Sequence, residues 1–288
     1  MFAFTNGYGG KADGYDATKV TSPIQPRVGV FAEAGLARLD LILAKAAQYG
    51  IRLILPLSNW WDEMGGCQWY VDQVLGKSTP PKAKELFFTE PKVREAFADY
   101  MYAVLTRVNS LTGVAYREDP AVLAWELQVR RGRGGARARA ARLRPHPFPP
   151  PPPPQTEPQM TEGYEKKLGA APGRAMALWV REMAAFIKAL DPKHLVATGE
   201  EGWRCDGGEG GAAAVGGREF AWINDGSKGA CFETHVRLPE VDIATVHVYA
   251  SNWGFPANGG RRREGGERGG GSARRRPPAH DPSPTPHL

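Results

Sequence analysis

At 288 residues the chain is long enough for one or two domains, and an α/β barrel uses about 250 residues as a single one. Its net charge of +6 invites a nucleic-acid reading until the charge is located. Seven Arg lie in residues 128–154 with no acid and seven in 256–288 against three acids, leaving 23 basic and 28 acidic residues elsewhere. The part with core-forming composition is thus mildly acidic, which argues against a basic binding face there, and no apolar run approaches the ~20 residues of a membrane span.

In chain order, Met1 to Phe4 reads as the end of a strand rather than a signal peptide, and a loop rich in Gly, Asp and Thr runs to about Val30. Phe31 to Tyr49 spaces Phe31, Leu36, Leu39, Ile42 and Leu43 at helical intervals, with Gly50 as the stop. Ile51 to Leu57 follows as a buried strand and ends in Ser58-Asn59-Trp60-Trp61-Asp62. Polar and aromatic residues at the carboxyl end of a strand occupy the place where α/β folds put their sites. Gln68 to Leu75 and Pro91 to Val108 are the next helical stretches, the second striped by Val93, Phe97, Tyr100, Met101, Val104 and Leu105. The turn dipeptide Asp119-Pro120 then opens the strand Ala121 to Leu127.

After Leu127 the composition changes abruptly. Residues 128–160 are rich in Arg, Gly and Ala and then in proline, with an unbroken run from Pro149 to Pro154; such a segment is disordered or polyproline II. A helix is expected from about Pro172 to Leu190, ended by Asp191-Pro192, and then a strand His194 to Gly199 that delivers Glu200-Glu201-Gly202-Trp203. Val241 to Tyr249 is a further strand, running into Ser251-Asn252-Trp253, and residues 256–288 return to Arg, Gly and Pro. Strand followed by helix is the repeating unit, which predicts a parallel α/β architecture with fewer than the eight units of a closed barrel. No glycine-rich phosphate cradle follows any strand. Cys67, Cys205 and Cys231 are widely spaced without a C-x-x-C pair, which favours buried or free thiols over a bridge and offers no zinc site.

The order of these pieces resembles the endo-β-1,4-mannanases of glycoside hydrolase family 5, particularly the plant and algal type. The resemblance rests on Phe31 to Asn59 with Trp60-Trp61-Asp62 and Gly65-Gly66, on Phe87-Phe88 through Asn109, and on Thr112 to Tyr116. It continues in Asp119 to Leu127, Thr198 to Trp203, and Asp242 to Trp253. It implies a partial (β/α)8 barrel, about strands two to six, formed by residues 1–127 and 161–255, with 128–160 as a low-complexity insertion and 256–288 as a tail.

The resemblance further implies retaining hydrolysis by two glutamates roughly 5 to 5.5 Å apart, without metal or cofactor, on β-mannan or glucomannan. A monomer is expected, with no nucleic-acid or membrane partner. The family is extracellular, although no signal peptide is visible here. In the family, Trp-Glu-Leu on the fourth strand leads, one residue later, into Asn-Glu-Pro, whose Glu is the acid/base. Here that position is Arg130, which stays charged and cannot donate a proton near neutral pH. Glu126, four residues earlier on the strand, would sit about 13 Å deeper at ~3.3 Å per residue. The nucleophile belongs to a seventh strand, and this chain leaves the family pattern near Phe255. No catalytic residue is therefore intact, and the chain is expected to be inactive as written.

Both arginine-rich segments begin where a family motif should continue, as expected of translated intron or a mispredicted reading frame; the competing reading is a divergent protein with disordered basic insertions. The expected substrate contacts are Trp60, Trp61, Glu201, His247, Tyr249 and Trp253, the aromatics stacking on sugar rings and His247 and Tyr249 sharing one face of their strand. Glu200 and Glu201 are adjacent and point apart, so they do not form a catalytic pair. Two other readings compete. One is a non-catalytic carbohydrate-binding remnant; the other is an Arg/Gly/Pro-rich interaction protein that binds through its basic runs.

Overall fold

The structure is a computed structural model that describes residues 23–60, 65–76, 83–128, 164–205, 226 and 229–247. All of them lie in the first of two units, Met1–Phe255; the second, Pro256–Leu288, falls outside the described residues, as do the proline run and the expected strand end at Phe2 to Phe4.

Among the described residues three parallel strands form the sheet, in the order β1 (Leu53–Pro56), β2 (Val122–Glu126), β3 (Leu195–Ala197). Ile54 aligns with Ala124 and Leu195, and Leu55 with Trp125 and Val196. The helices are α1 (Glu33–Gln48), α2 (Cys67–Leu75), α3 (Leu86–Thr89), α4 (Pro91–Thr106), α5 (Tyr164–Lys167), α6 (Arg174–Leu190) and α7 (Phe232–His235). A parallel pair requires a crossover between its strands. Here α2 to α4 lie between β1 and β2 in the chain, and α5 and α6 between β2 and β3.

The long helices form where apolar residues recur at helical spacing, and they bury that stripe. Helix α4 starts with Pro91, whose missing N–H costs nothing in a first turn, and buries Val93, Phe97, Tyr100, Met101, Val104 and Leu105. Helix α6 buries Met176, Trp179, Val180, Met183 and Ile187. Their rings meet Tyr70 and Phe87 in one cluster; Trp179 lies 5.6 Å from Phe87 and 6.0 Å from Phe97 between centroids. Helix α1 ends as expected at Gly50, which takes the left-handed conformation at φ +66°.

Charge organises the amino ends of the strands. Asp40 of α1, fully buried, accepts from Arg107 Nη2 at 2.6 Å, Ser110 Oγ at 2.7 Å and the Tyr116 hydroxyl. Burial pushes its carboxyl up, but these donors outweigh burial and hold it down at about 2. Arg107 also donates to Glu33 at 2.9 Å, and its bonds to Glu33 and then Asp40 raise it, while burial and then the bond to Asp40 raise Tyr116. Asp191, just past α6, accepts from Trp125 Nε1 at 2.7 Å and faces His194 Nδ1 at 2.6 Å. It too is lowered, since bonds from His194 and Trp125 overcome its burial.

Two expectations need correction. Val241 to Tyr249 is not a ladder strand within the described residues: only Ile243 bridges Ala197, and the Asp242 carboxylate takes the Val196 N–H at 2.8 Å. The Asp242 and Ile243 N–H groups both donate to the Val196 carbonyl, at 2.9 and 3.1 Å, so the segment meets β3 in a single bridge rather than a run of ladder. Cys205 and Cys231 are not thiols but a disulfide; Cys67 keeps its thiol, and it is buried.

Candidate active site at the carboxyl ends of the strands

Each strand delivers polar residues at its carboxyl end, and short contacts lock the three exits together. From β1, the Ser58 hydroxyl donates to the Leu127 carbonyl at 2.8 Å and the Leu57 N–H to the Glu126 carbonyl at 2.8 Å. From β2, the buried Gln128 donates through Nε2 to Cys67 Sγ at 3.0 Å, while the Cys67 N–H donates to the Asn59 carbonyl at 3.0 Å. The first turn of α2 is thereby pinned between the ends of β1 and β2.

The third exit approaches closely because it begins with glycine. Gly199 has φ +81°, and a Cβ placed on it would come 1.6 Å from the Gln128 carbonyl oxygen. Only a residue without a side chain satisfies both conditions. Beyond it Glu200 is buried, with Oε1 2.9 Å from His235 Nδ1. His235 Nε2 lies 3.3 Å from the Gly173 carbonyl, an atom that only accepts, so this nitrogen carries a proton. The other nitrogen faces the Glu200 carboxylate. That buried pair ties the β3 exit to α7 and to the start of α6. No composition or spacing marked His235, since its partner lies 35 residues away.

Of the expected substrate contacts, Trp60 is packed inward: it is 9% exposed, stacks with Phe88 at 5.9 Å and carries the Lys84 ammonium over its ring at 5.2 Å. Glu201 follows Glu200 at the β3 exit and is also buried. His247 is half-buried at the end of a segment whose Val246 sits against Gly202. The structure thus brings the segment before His247 against the residue after Glu201, and packs Trp60 against Phe88. Trp61, Tyr249, Trp253 and Arg130 lie outside the described residues. Among the described residues no group of three or more His, Cys, Asp or Glu is arranged to hold a metal ion.

Strand ends that gather buried carboxylates and amides are what a barrel glycosidase requires, and comparison with known proteins points the same way. Residues 9–139 match the family pattern of glycoside hydrolase family 5, β-mannosidase-like. Mannan endo-1,4-β-mannosidase 1 of Solanum lycopersicum is 30% identical over 243 residues, 84% of this chain and 49% of the relative. Mannan endo-1,4-β-mannosidase 1 of Oryza sativa is 30% identical over 252 residues, 88% of this chain and 46% of the relative. Among solved structures, the hyperthermostable endo-1,4-β-D-mannanase of Thermotoga petrophila is similar with a TM-score of 0.61 at 30% identity, over 80% of this chain and 55% of that one. The endo-1,4-β-mannanase of Rhizomucor miehei gives 0.57 at 27% identity, over 78% and 52%. The chain spans about half the length of the curated relatives it matches. Pattern, relatives and fold agree in likening this chain to the β-mannosidase-like sequences of glycoside hydrolase family 5, with the fold of a partial (β/α)8 barrel.

Proposed function

We propose that the chain is a mannan-directed glycosidase scaffold, built to cleave internal β-1,4-mannosidic links by the retaining two-carboxylate route, and that the sequence as it stands is disarmed. The observation that carries this reading is the path of β2. Val122–Glu126 forms the central parallel strand, and the chain then passes through Leu127 and the buried Gln128 toward position 130, where the resemblance expects a proton-donating glutamate and this chain has Arg130. An acid/base contributes roughly 10²- to 10⁴-fold, and a guanidinium supplies none of it.

Substrate contact falls to Glu201 and His247, with Trp60 packed against Phe88 at the exit of β1 and Trp61, Tyr249 and Trp253 supplying the ring-stacking surfaces. The barrel comprises residues 1–127 and 161–255, with 128–160 inserted at the mouth of β2. The protein works as a monomer outside the cytosol. The Cys205–Cys231 bridge supports that placement, since such bonds persist in oxidising compartments.

Two measurements test the reading. Incubated with soluble β-mannan and glucomannan, the chain is expected to migrate more slowly in a mannan-containing gel yet release no reducing ends above background. Hydrolysis at an ordinary enzymatic rate would remove Arg130 from its assigned place; no retardation at all would remove mannan. Peptide mass spectrometry on the native cells addresses the insertion. A peptide running from Trp125-Glu126-Leu127 into Asn-Glu-Pro is expected, identifying 128–160 as translated intervening sequence in an otherwise competent mannanase. A peptide continuing into Gln128-Val129-Arg130 would instead make the disarmed site genuine.

A further inference from the structure

We propose that the Cys205–Cys231 bridge is a thiol–disulfide exchange site, reduced by a dithiol that attacks Cys205, and that it governs how firmly α7 is held against the exit of β3. The bond joins residues 26 apart, one just past the Glu200–Trp203 turn and the other immediately before α7. The two sulfurs differ in access. Cys231 is 2% exposed, packed so tightly on the start of α6 that a Cβ on Gly173 would lie 2.3 Å from its own Cβ, whereas Cys205 is only half-buried. A reductant therefore meets Cys205 first.

The neighbouring chemistry suits Cys231 as the leaving sulfur. Thr234 Oγ1 lies 3.1 Å from Cys231 Sγ, where its hydroxyl donates to the thiolate that forms as the bond breaks. The exchange balances as follows. A thiolate of the dithiol bonds to Cys205 Sγ, and Cys231 departs with the electron pair and takes a proton from water. The second thiol of the reductant then attacks its own sulfur in the mixed disulfide and releases Cys205. Two electrons pass from the dithiol, which is oxidised to a disulfide, to the cystine, which becomes two thiols.

What reduction changes follows from the contacts that remain. The Phe232 N–H still donates to the Trp203 carbonyl at 2.8 Å, Arg204 still meets Glu233 at 2.6 Å, and His235 still meets Glu200. The Arg204–Glu233 pair is 44% and 31% exposed and contributes little. Helix α7 is a single turn of four residues, too short to persist without tertiary support. With the covalent tie gone it rests mainly on the His235–Glu200 pair, so the β3 exit loosens while α4 and the aromatic cluster stay shut.

The test uses the full chain and dithiothreitol. In denaturant, one thiol, that of Cys67, is expected to titrate before reduction and three after it. Brief exposure to reductant followed by acid trapping should yield the mixed adduct on Cys205. Amide exchange should quicken roughly tenfold at Phe232, Thr234 and His235 and less than about twofold at Met101 to Leu105. Three titratable thiols from the start, an adduct on Cys231, unchanged exchange around α7, or an equal loss of protection in α4 would each overturn the proposal. The variant Cys205→Ser should reproduce the exchange pattern of the reduced protein; where it does not fold, wild-type chain at graded dithiothreitol gives the same reading. None of these readouts depends on mannan, so the proposal stands or falls apart from the functional one.

Discussion

Asp40 shows how one side chain carries stability far from any chemistry. It is wholly enclosed and meets Arg107, Ser110 and Tyr116, and the Asn109 amide donates to its backbone carbonyl at 3.0 Å. Replacing it, Asp40→Asn, leaves Arg107 partly uncompensated at a site it shares with Glu33, and should cost about 3 kcal/mol in urea unfolding. The sign of its pH dependence is definite. The folded carboxyl sits at about 2, below the ~3.9 of an unfolded aspartate. Its contribution, about 2.5 kcal/mol, is therefore complete above roughly pH 4 and drains away as pH falls toward 2. Asp191 is displaced in the same direction and adds to the same acid limb. Acid titration of the Asp40→Asn variant should show a shallower loss of stability over that window than the parent; an unchanged slope would refute the assignment. None of this was legible beforehand, because Asp40 occupies an ordinary position in an amphipathic helix and its partners arrive from 67 to 76 residues away.

At the scale of elements, the long helices α1, α4 and α6 were legible because each buries its own apolar stripe, a local property of the chain. Phe97, Tyr100, Met101 and Val104 recur at helical spacing and all are buried in α4; the same holds for Met176, Trp179, Val180 and Met183 in α6. Trp179→Ala is expected to cost 3 to 5 kcal/mol, as for other large aromatics removed from packed cores, since Trp179 meets Phe87, Phe88 and Phe97 at once. Thermal unfolding of that variant checks it. The three strands β1 to β3 were legible in place and shorter in extent, while the described residues from Val241 onward were not a strand; β3 holds only Leu195–Ala197, and the chain takes a left-handed turn at Gly199 against the Gln128 carbonyl. Gly199→Ala combines a left-handed backbone with a contact on main chain that cannot swing aside. A loss of at least about 2 kcal/mol is expected, and a variant as stable as the parent would mean that the exits of β2 and β3 do not approach so closely.

For the whole molecule, the sheet presents two different faces. Leu55, Trp125 and Val196 are buried in the core cluster. On the opposite face Ile54 and Leu195, aligned on either side of Ala124, are 42% and 36% exposed. A closed barrel fills such a face with layered side chains. Among the described residues that layer is incomplete, and an exposed apolar row on a parallel sheet favours self-association. Sedimentation should show a monomer at low concentration and larger species as concentration rises, and the paired change Ile54→Thr with Leu195→Thr should suppress the larger species with little effect on the melting temperature. Association that ignores these substitutions would locate the contact elsewhere.

What the sequence determined by itself was everything that depends on neighbours along the chain: the periodicity of α1, α4 and α6, the stop at Gly50, the Asp119 turn, in which the Asp119 carboxylate accepts the Ala121 N–H at 2.9 Å, and the order of motifs that marks the family. What the tertiary structure decided was every pairing across long separations. It joined Cys205 to Cys231, set His235 on Glu200, turned Trp60 toward Phe88, and reduced the expected fourth strand to a single bridge beside Val196, where the Asp242 carboxylate takes the Val196 N–H. Periodicity is written by local geometry, whereas the partner of a buried charge or a cysteine is chosen by where the folded backbone brings distant segments together.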